Sequence, residues 1–122
     1  MTKEELETVP FGLGEENPFG KYFTGKSYLN ILHQEGVLVA NVTFEKGTRN
    51  HWHIHNASKN GGQFLLATYG RGYYQEEGKP AIELLPGDSV FIAPGVKHWH
   101  GAAPNEWFSH LAIEVPGENS SN

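Results

Sequence analysis

The chain contains no cysteine. Disulfide staples and thiolate metal sites are therefore excluded, and a reducing, cytoplasmic location is the expectation. Basic residues are few and scattered, nine Lys and Arg against fourteen Asp and Glu, for a net charge of -5. Such a surface carries no nucleic-acid footprint. No apolar run approaches the length of a membrane span, and Met1-Thr2-Lys3-Glu4-Glu5 is acidic rather than leader-like, so no membrane partner is expected. A long amphipathic helix is missing as well; only Thr2 to Glu5 offers a capping box for one short helical turn.

Turn formers and short strand-like runs are plentiful. Fifteen Gly and seven Pro punctuate segments rich in β-branched and aromatic residues. Those segments are Tyr28 to Leu32, Gly36 to Phe44, Gln63 to Tyr69, Tyr73 to Gln75, Ala81 to Leu85, Ser89 to Ile92, His98 to Ala102 and Trp107 to Val115. Many short strands at regular spacing predict an all-β sandwich or barrel. With 122 residues, one domain buries roughly two thirds of the surface its unfolded chain exposes. The division expected is an irregular N-terminal arm over 1–20, a β-domain over 21–115 and a flexible tail over 116–122. In the β-domain, Leu38, Ala40, Val42, Phe44, Leu65, Ala67, Val90 and Ile92 are the expected interior residues.

Histidines carry the chemistry. On a strand, His53 and His55 share a face, because side chains alternate with period two. Gln63 from the following strand and His98 from a later one can then converge with them on one interior point. Neutral imidazoles suit divalent transition metals, and a carboxamide oxygen can complete the set. A metal centre inside an all-β fold follows as the expectation.

The spacing of these residues resembles the cupin superfamily. A first signature runs from Gly47 through His53-Ile54-His55 and Gln63 to Gly70, and a second from Gly87 through Pro94-Gly95 to His98. The resemblance implies a single-domain cupin (jelly-roll) β-barrel whose metal ligands are His53, His55, Gln63 and His98. Gln63 stands where most cupins carry Glu, the loop before it is longer than usual, and Ala93 and Ala102 replace a common Pro and Asn. The Gln is shared with small single-domain cupins that include manganese-dependent hydroxynitrile lyases. Tyr22-Phe23-Thr24-Gly25, Lys97 to Pro104 and Ser109 to Ile113 add to that likeness.

The likeness to that subgroup implies a divalent ion, manganese by preference, with Fe, Ni, Zn and Co left open. It also implies a histidine beside the metal at His110, a candidate catalytic acid and base suited by its ordinary pKa. The leading reading is a lyase-type enzyme acting on a small-molecule substrate, making or breaking a carbon-carbon bond. An iron dioxygenase and a non-catalytic small-molecule or sugar binder are the alternatives left open. A homodimer is expected, with the segment from Phe19 to Leu32 adding to a partner's sheet. His51 is read as a solvent histidine, His100 as a hydrogen-bonding neighbour of the ligands, and Arg49 and Lys97 as solvated cations. Asn56 to Gly62 reads as either a long hairpin or a lid.

Overall fold

The structure is a computed structural model that describes residues 8–18, 23–53, 55–60, 62–114 and 117–121, of which 23–24, 55–60 and 117–121 are described as backbone. Among the described residues thirteen strands follow in chain order: β1 (Glu15–Glu16), β2 (Phe23–Thr24), β3 (Ser27–His33), β4 (Leu38–Phe44), β5 (Arg49–Asn50), β6 (His55–Asn60), β7 (Gln63–Gly70), β8 (Gly72–Glu76), β9 (Ile82–Leu84), β10 (Ser89–Ile92), β11 (His98–Ala102), β12 (Phe108–Glu114) and β13 (Gly117–Ser121). No helix occurs among the described residues. The capping box at Thr2 to Glu5 lies outside them.

Two sheets make the jelly roll. One has the order β1-β3-β4-β12-β7-β10 and the other β2-β5-β11-β8-β9. Every pairing is antiparallel, as hairpin and Greek-key connections require. Alternate residues point inward and fill the space between the sheets with Val42, Phe44, Leu65, Ala67, Tyr74, Leu84, Ile92, Ala102, Phe108 and Ala112. Val90 packs against this core from a partly buried position. Leu38, expected among the interior residues, is exposed, because it lies at the end of β4 opposite Glu114, beyond the reach of the facing sheet.

The N-terminal arm is tied down. Val9 and Leu13 are buried against Tyr28 and Trp107 on the outer face of the first sheet. Asn41 donates to the carbonyl of Gly12 at 2.8 Å, which fixes the arm's backbone there. Residues 116–122, expected as a tail, include β13, which pairs with β6 in a separate two-stranded sheet. The segment Gly117-Glu118-Asn119-Ser120-Ser121 has no apolar alternation to reveal it; its order comes from backbone pairing with a distant strand. The same pairing makes Asn56 to Asn60, read as part of a long hairpin or a lid, a strand.

Two signature glycines have separate backbone reasons. Gly47 turns the chain after β4 at φ +71°, and an added Cβ there meets no atom within 4 Å. Gly70 also has positive φ (+74°), and an added Cβ would collide with the Trp107 carbonyl oxygen. Gly70 therefore serves both the turn and the close approach of two strands.

Candidate metal centre

The second sheet brings the histidines together. His53 and His98 form an antiparallel bridge, with His53 N–H donating to the His98 carbonyl at 2.9 Å and His98 N–H to the His53 carbonyl at 3.0 Å. Their imidazole centroids lie 4.2 Å apart. His100 is two residues further along β11 and so shares the inward face. His53, His98 and His100 each offer a ring nitrogen, and those atoms lie within 4.8 Å of one another. The spacing is that of groups able to share one ion.

Hydrogen bonds to carbonyls fix two of these rings. His53 Nδ1 lies 2.7 Å from the His51 carbonyl, and His98 Nδ1 lies 2.9 Å from the Val96 carbonyl. A carbonyl only accepts, so each Nδ1 carries the hydrogen and each Nε2 carries the lone pair. That is the state in which an imidazole coordinates a metal, oriented by its other nitrogen.

Gln63 opens β7 on the same face as Leu65 and Ala67, which lie in the core. Its Oε1 is buried and accepts no hydrogen bond from any described residue. An amide oxygen kept from water without a donor costs roughly 1–3 kcal/mol, and a cation would remove that cost. The chemistry of these donors therefore fits a divalent ion, and the nitrogens grouped within 4.8 Å are those of His53, His98 and His100. The imidazole of His55 lies outside the described side chains, although its backbone begins β6.

His100 differs from its neighbours. Its Nε2 lies 2.9 Å from Asn50 Nδ2, and its Nδ1 lies 3.2 Å from His110 Nε2. Both ring nitrogens are thus engaged in protein hydrogen bonds. His110 is buried, and its Nδ1 reaches the Leu111 carbonyl at 3.2 Å. Phe44 and Phe108 flank the His110 ring, with centroids 5.6 Å away in each case. Burial in these surroundings lowers the pKa of His110 from 6.5 to about 4, against a smaller raising effect of the Leu111 carbonyl. The ring is neutral around pH 7.

Tyr74 was not singled out by its local sequence. It sits opposite His100 on β8, with its ring 5.7 Å from that of His98. Its hydroxyl donates to Glu76 Oε2 at 3.1 Å, and burial, then that bond and the carboxylate's charge, push its pKa up. Tyr74 therefore stays protonated as an inward wall of the centre. Asn50 was missed too, since nothing in its local sequence marks it.

The outward residues behave as the alternation requires. Arg49 lies over the Trp99 ring at 4.9 Å, Trp99 Nε1 donates to Gln75 at 2.8 Å, and Lys97 pairs with Glu77 at 3.5 Å. His51 is exposed, as expected of a solvent histidine.

The model of the Cupin domain family matches residues 40–113. This chain belongs to the cupin family. Across 97 residues, 76% of this cupin and 71% of the relative, it is 46% identical to a Granulicella tundricola protein named (R)-mandelonitrile lyase. A solved cupin-like protein from Thermotoga maritima is 42% identical, with a TM-score of 0.78 over 86% of this cupin and 79% of that chain. A second Thermotoga maritima structure, described as a predicted oxalate decarboxylase, has a TM-score of 0.72 at 19% identity, covering 83% of this cupin and 90% of that chain. At that identity the likeness is one of fold. No helix among the described residues is long and apolar enough to cross a membrane.

Proposed function

We propose that this cupin is a metal-dependent lyase that reversibly cleaves 2-hydroxynitriles into a carbonyl compound and hydrogen cyanide. The observation that carries the reading is its 46% identity to the protein named (R)-mandelonitrile lyase. The oriented rings of His53 and His98 and the undonated oxygen of Gln63 support it.

In this reading His53, His55, Gln63 and His98 hold a divalent ion, manganese by preference. When bound, the ion supplies positive charge that lowers the energy of a developing alkoxide oxygen. None of the four side chains is charged, so none offsets that effect as Glu would at position 63. Phe44, Phe108 and Tyr74 keep water from the histidines. His110 Nε2 takes the substrate's hydroxyl proton as the substrate oxygen displaces the His100 Nδ1–H. The oxygen's electrons form the carbonyl, the bond to the nitrile carbon breaks, and cyanide leaves with the bonding pair. The proton held at His110 Nε2 passes to cyanide. A buried imidazole with a lowered pKa holds that proton weakly and returns it readily.

The test is elemental analysis of protein purified without added metal, followed by mandelonitrile cleavage with each candidate ion. Stoichiometric metal with cyanide release supports the reading. Oxygen consumption with iron, or ligand binding without turnover, overturns it in favour of a dioxygenase or a binding cupin.

A homodimer is part of the same reading. The exposed Ile31 and Leu32 on β3 support it, as does the shortness of β1, which among the described residues pairs with Tyr28 and Leu29 of that strand. Light scattering at micromolar concentration distinguishes dimer from monomer.

A further inference from the structure

We infer that Asn50 is a positioning residue that sets the tautomer of His100 and, through it, the tautomer of His110. The first step is the orientation of the Asn50 amide. The backbone N–H of His100 meets the Asn50 side chain at 2.8 Å. An N–H can only donate, so the atom facing it is the carbonyl oxygen, and Nδ2 is the atom facing the ring. Nδ2 also only donates, so His100 Nε2, at 2.9 Å, accepts and carries no hydrogen. A neutral His100 then has its hydrogen on Nδ1, which donates to His110 Nε2 at 3.2 Å. His110 in turn holds its hydrogen on Nδ1, which donates to the Leu111 carbonyl at 3.2 Å.

The direction of this chain is set at the Asn50 end, by bonds of 2.8 and 2.9 Å, and agrees with the longer 3.2 Å contact at the Leu111 end. One end is a backbone donor on His100 and the other a backbone acceptor on Leu111, and neither can reverse. Asn50, His100 and His110 are all buried, so water has little access to compete for these bonds. A free imidazole in water prefers its hydrogen on Nε2; this network imposes the opposite form on two adjacent rings. The result is that His110 turns a lone pair, not a hydrogen, toward His100 and the ligand cluster. The consequence for catalysis rests on the proposed role of His110 as proton carrier; the tautomer assignment does not.

The experiment is two-bond nitrogen–proton correlation NMR of the full-length chain labelled at histidine nitrogen, after chelation and after loading with diamagnetic zinc. In the wild type, His100 and His110 should both show a hydrogen-bearing Nδ1 and a lone-pair Nε2. Asn50→Asp keeps an acceptor for the His100 N–H but turns the donor into a second acceptor. His100 Nε2 should then carry hydrogen. Asn50→Ser, which places no charge in the interior, should leave each ring with a mixture of forms. An Nε2-bound hydrogen on either ring of the wild type overturns the inference without any variant. Unchanged tautomers in a folded Asn50→Ser protein also overturn it. With mandelonitrile as probe, Asn50→Ser should lower kcat about tenfold and leave KM within twofold, since Asn50 orients the proton carrier rather than the substrate. If the wild type cleaves no cyanohydrin, the lyase reading fails while the NMR result still stands.

Discussion

His53 and His98 exchange both of their backbone hydrogen bonds, and their imidazole centroids lie 4.2 Å apart. A bridge of this type holds two side chains side by side on one face of a sheet. The backbone therefore positions both rings, and each is turned by the carbonyl of the residue two places before it in the chain.

Preorganisation of this kind makes ligand loss costly in affinity and cheap in fold. His53 is only partly buried, so His53→Ala should leave the circular dichroism spectrum unchanged. Metal affinity should fall by at least ~10-fold, the lower range found even for outer groups that only orient ligands. Dialysis followed by elemental analysis reads the stoichiometry directly.

Gln63→Glu places a carboxylate where the buried amide oxygen now lies. The metal-free variant should be less stable than the wild type, because a buried charge lacks a partner. With metal the variant should hold its ion at least as tightly. Cyanohydrin cleavage should nevertheless slow by about tenfold, roughly 1.4 kcal/mol in the barrier, as the added charge weakens stabilisation of the alkoxide. Parallel measurements of metal retention and kcat separate the two effects.

The lowered pKa of His110 makes stability depend on pH. Its folded value is about 4 against the ordinary 6.5 of a histidine in the unfolded chain. Between those values the unfolded chain binds a proton that the folded chain does not, so stability falls as pH drops from 6.5 to about 4. The full effect is on the order of 3 kcal/mol for so large a shift. Urea unfolding of the metal-free protein across that window should show this slope. His110→Gln, neutral throughout, should flatten it.

Gly47 and Gly70 both have positive φ, but only Gly70 faces an obstructing carbonyl. Gly47→Ala should cost about 1–2 kcal/mol for the left-handed backbone alone. Gly70→Ala should cost about 3 kcal/mol or more, because the Trp107 backbone just before β12 must also shift. The difference between the two urea midpoints tests whether close approach or backbone freedom dominates at the second glycine.

Much of this molecule was legible from local pattern. The strands from β7 to β12 fall within a residue or two of the segments expected, because β-branched runs end at Gly and Pro turns. The nearness of His53 to His98 was expected from the cupin spacing, whereas His100, the third member of their group, was read only as a neighbour of the ligands. Other features left no local trace. β13 is polar, and its partner strand lies in the segment read as a long hairpin or a lid. Tyr74 became part of the centre because the register of β8 against β11 sets it opposite His100.

The amino-acid order by itself determined which side chains could bind an ion, which face of each strand they occupy, and where the chain must turn. Those properties depend on residue chemistry and on a two-residue repeat, both of them local. Only the tertiary structure decided that Asn50, His100 and His110 form one directed hydrogen-bond chain. Their strands belong to different sheets or meet only edge to edge, and the donor or acceptor role of each ring is set by a neighbour distant in sequence or by a backbone group. Proton position in a buried network is a property of the closed network, and no single segment contains it.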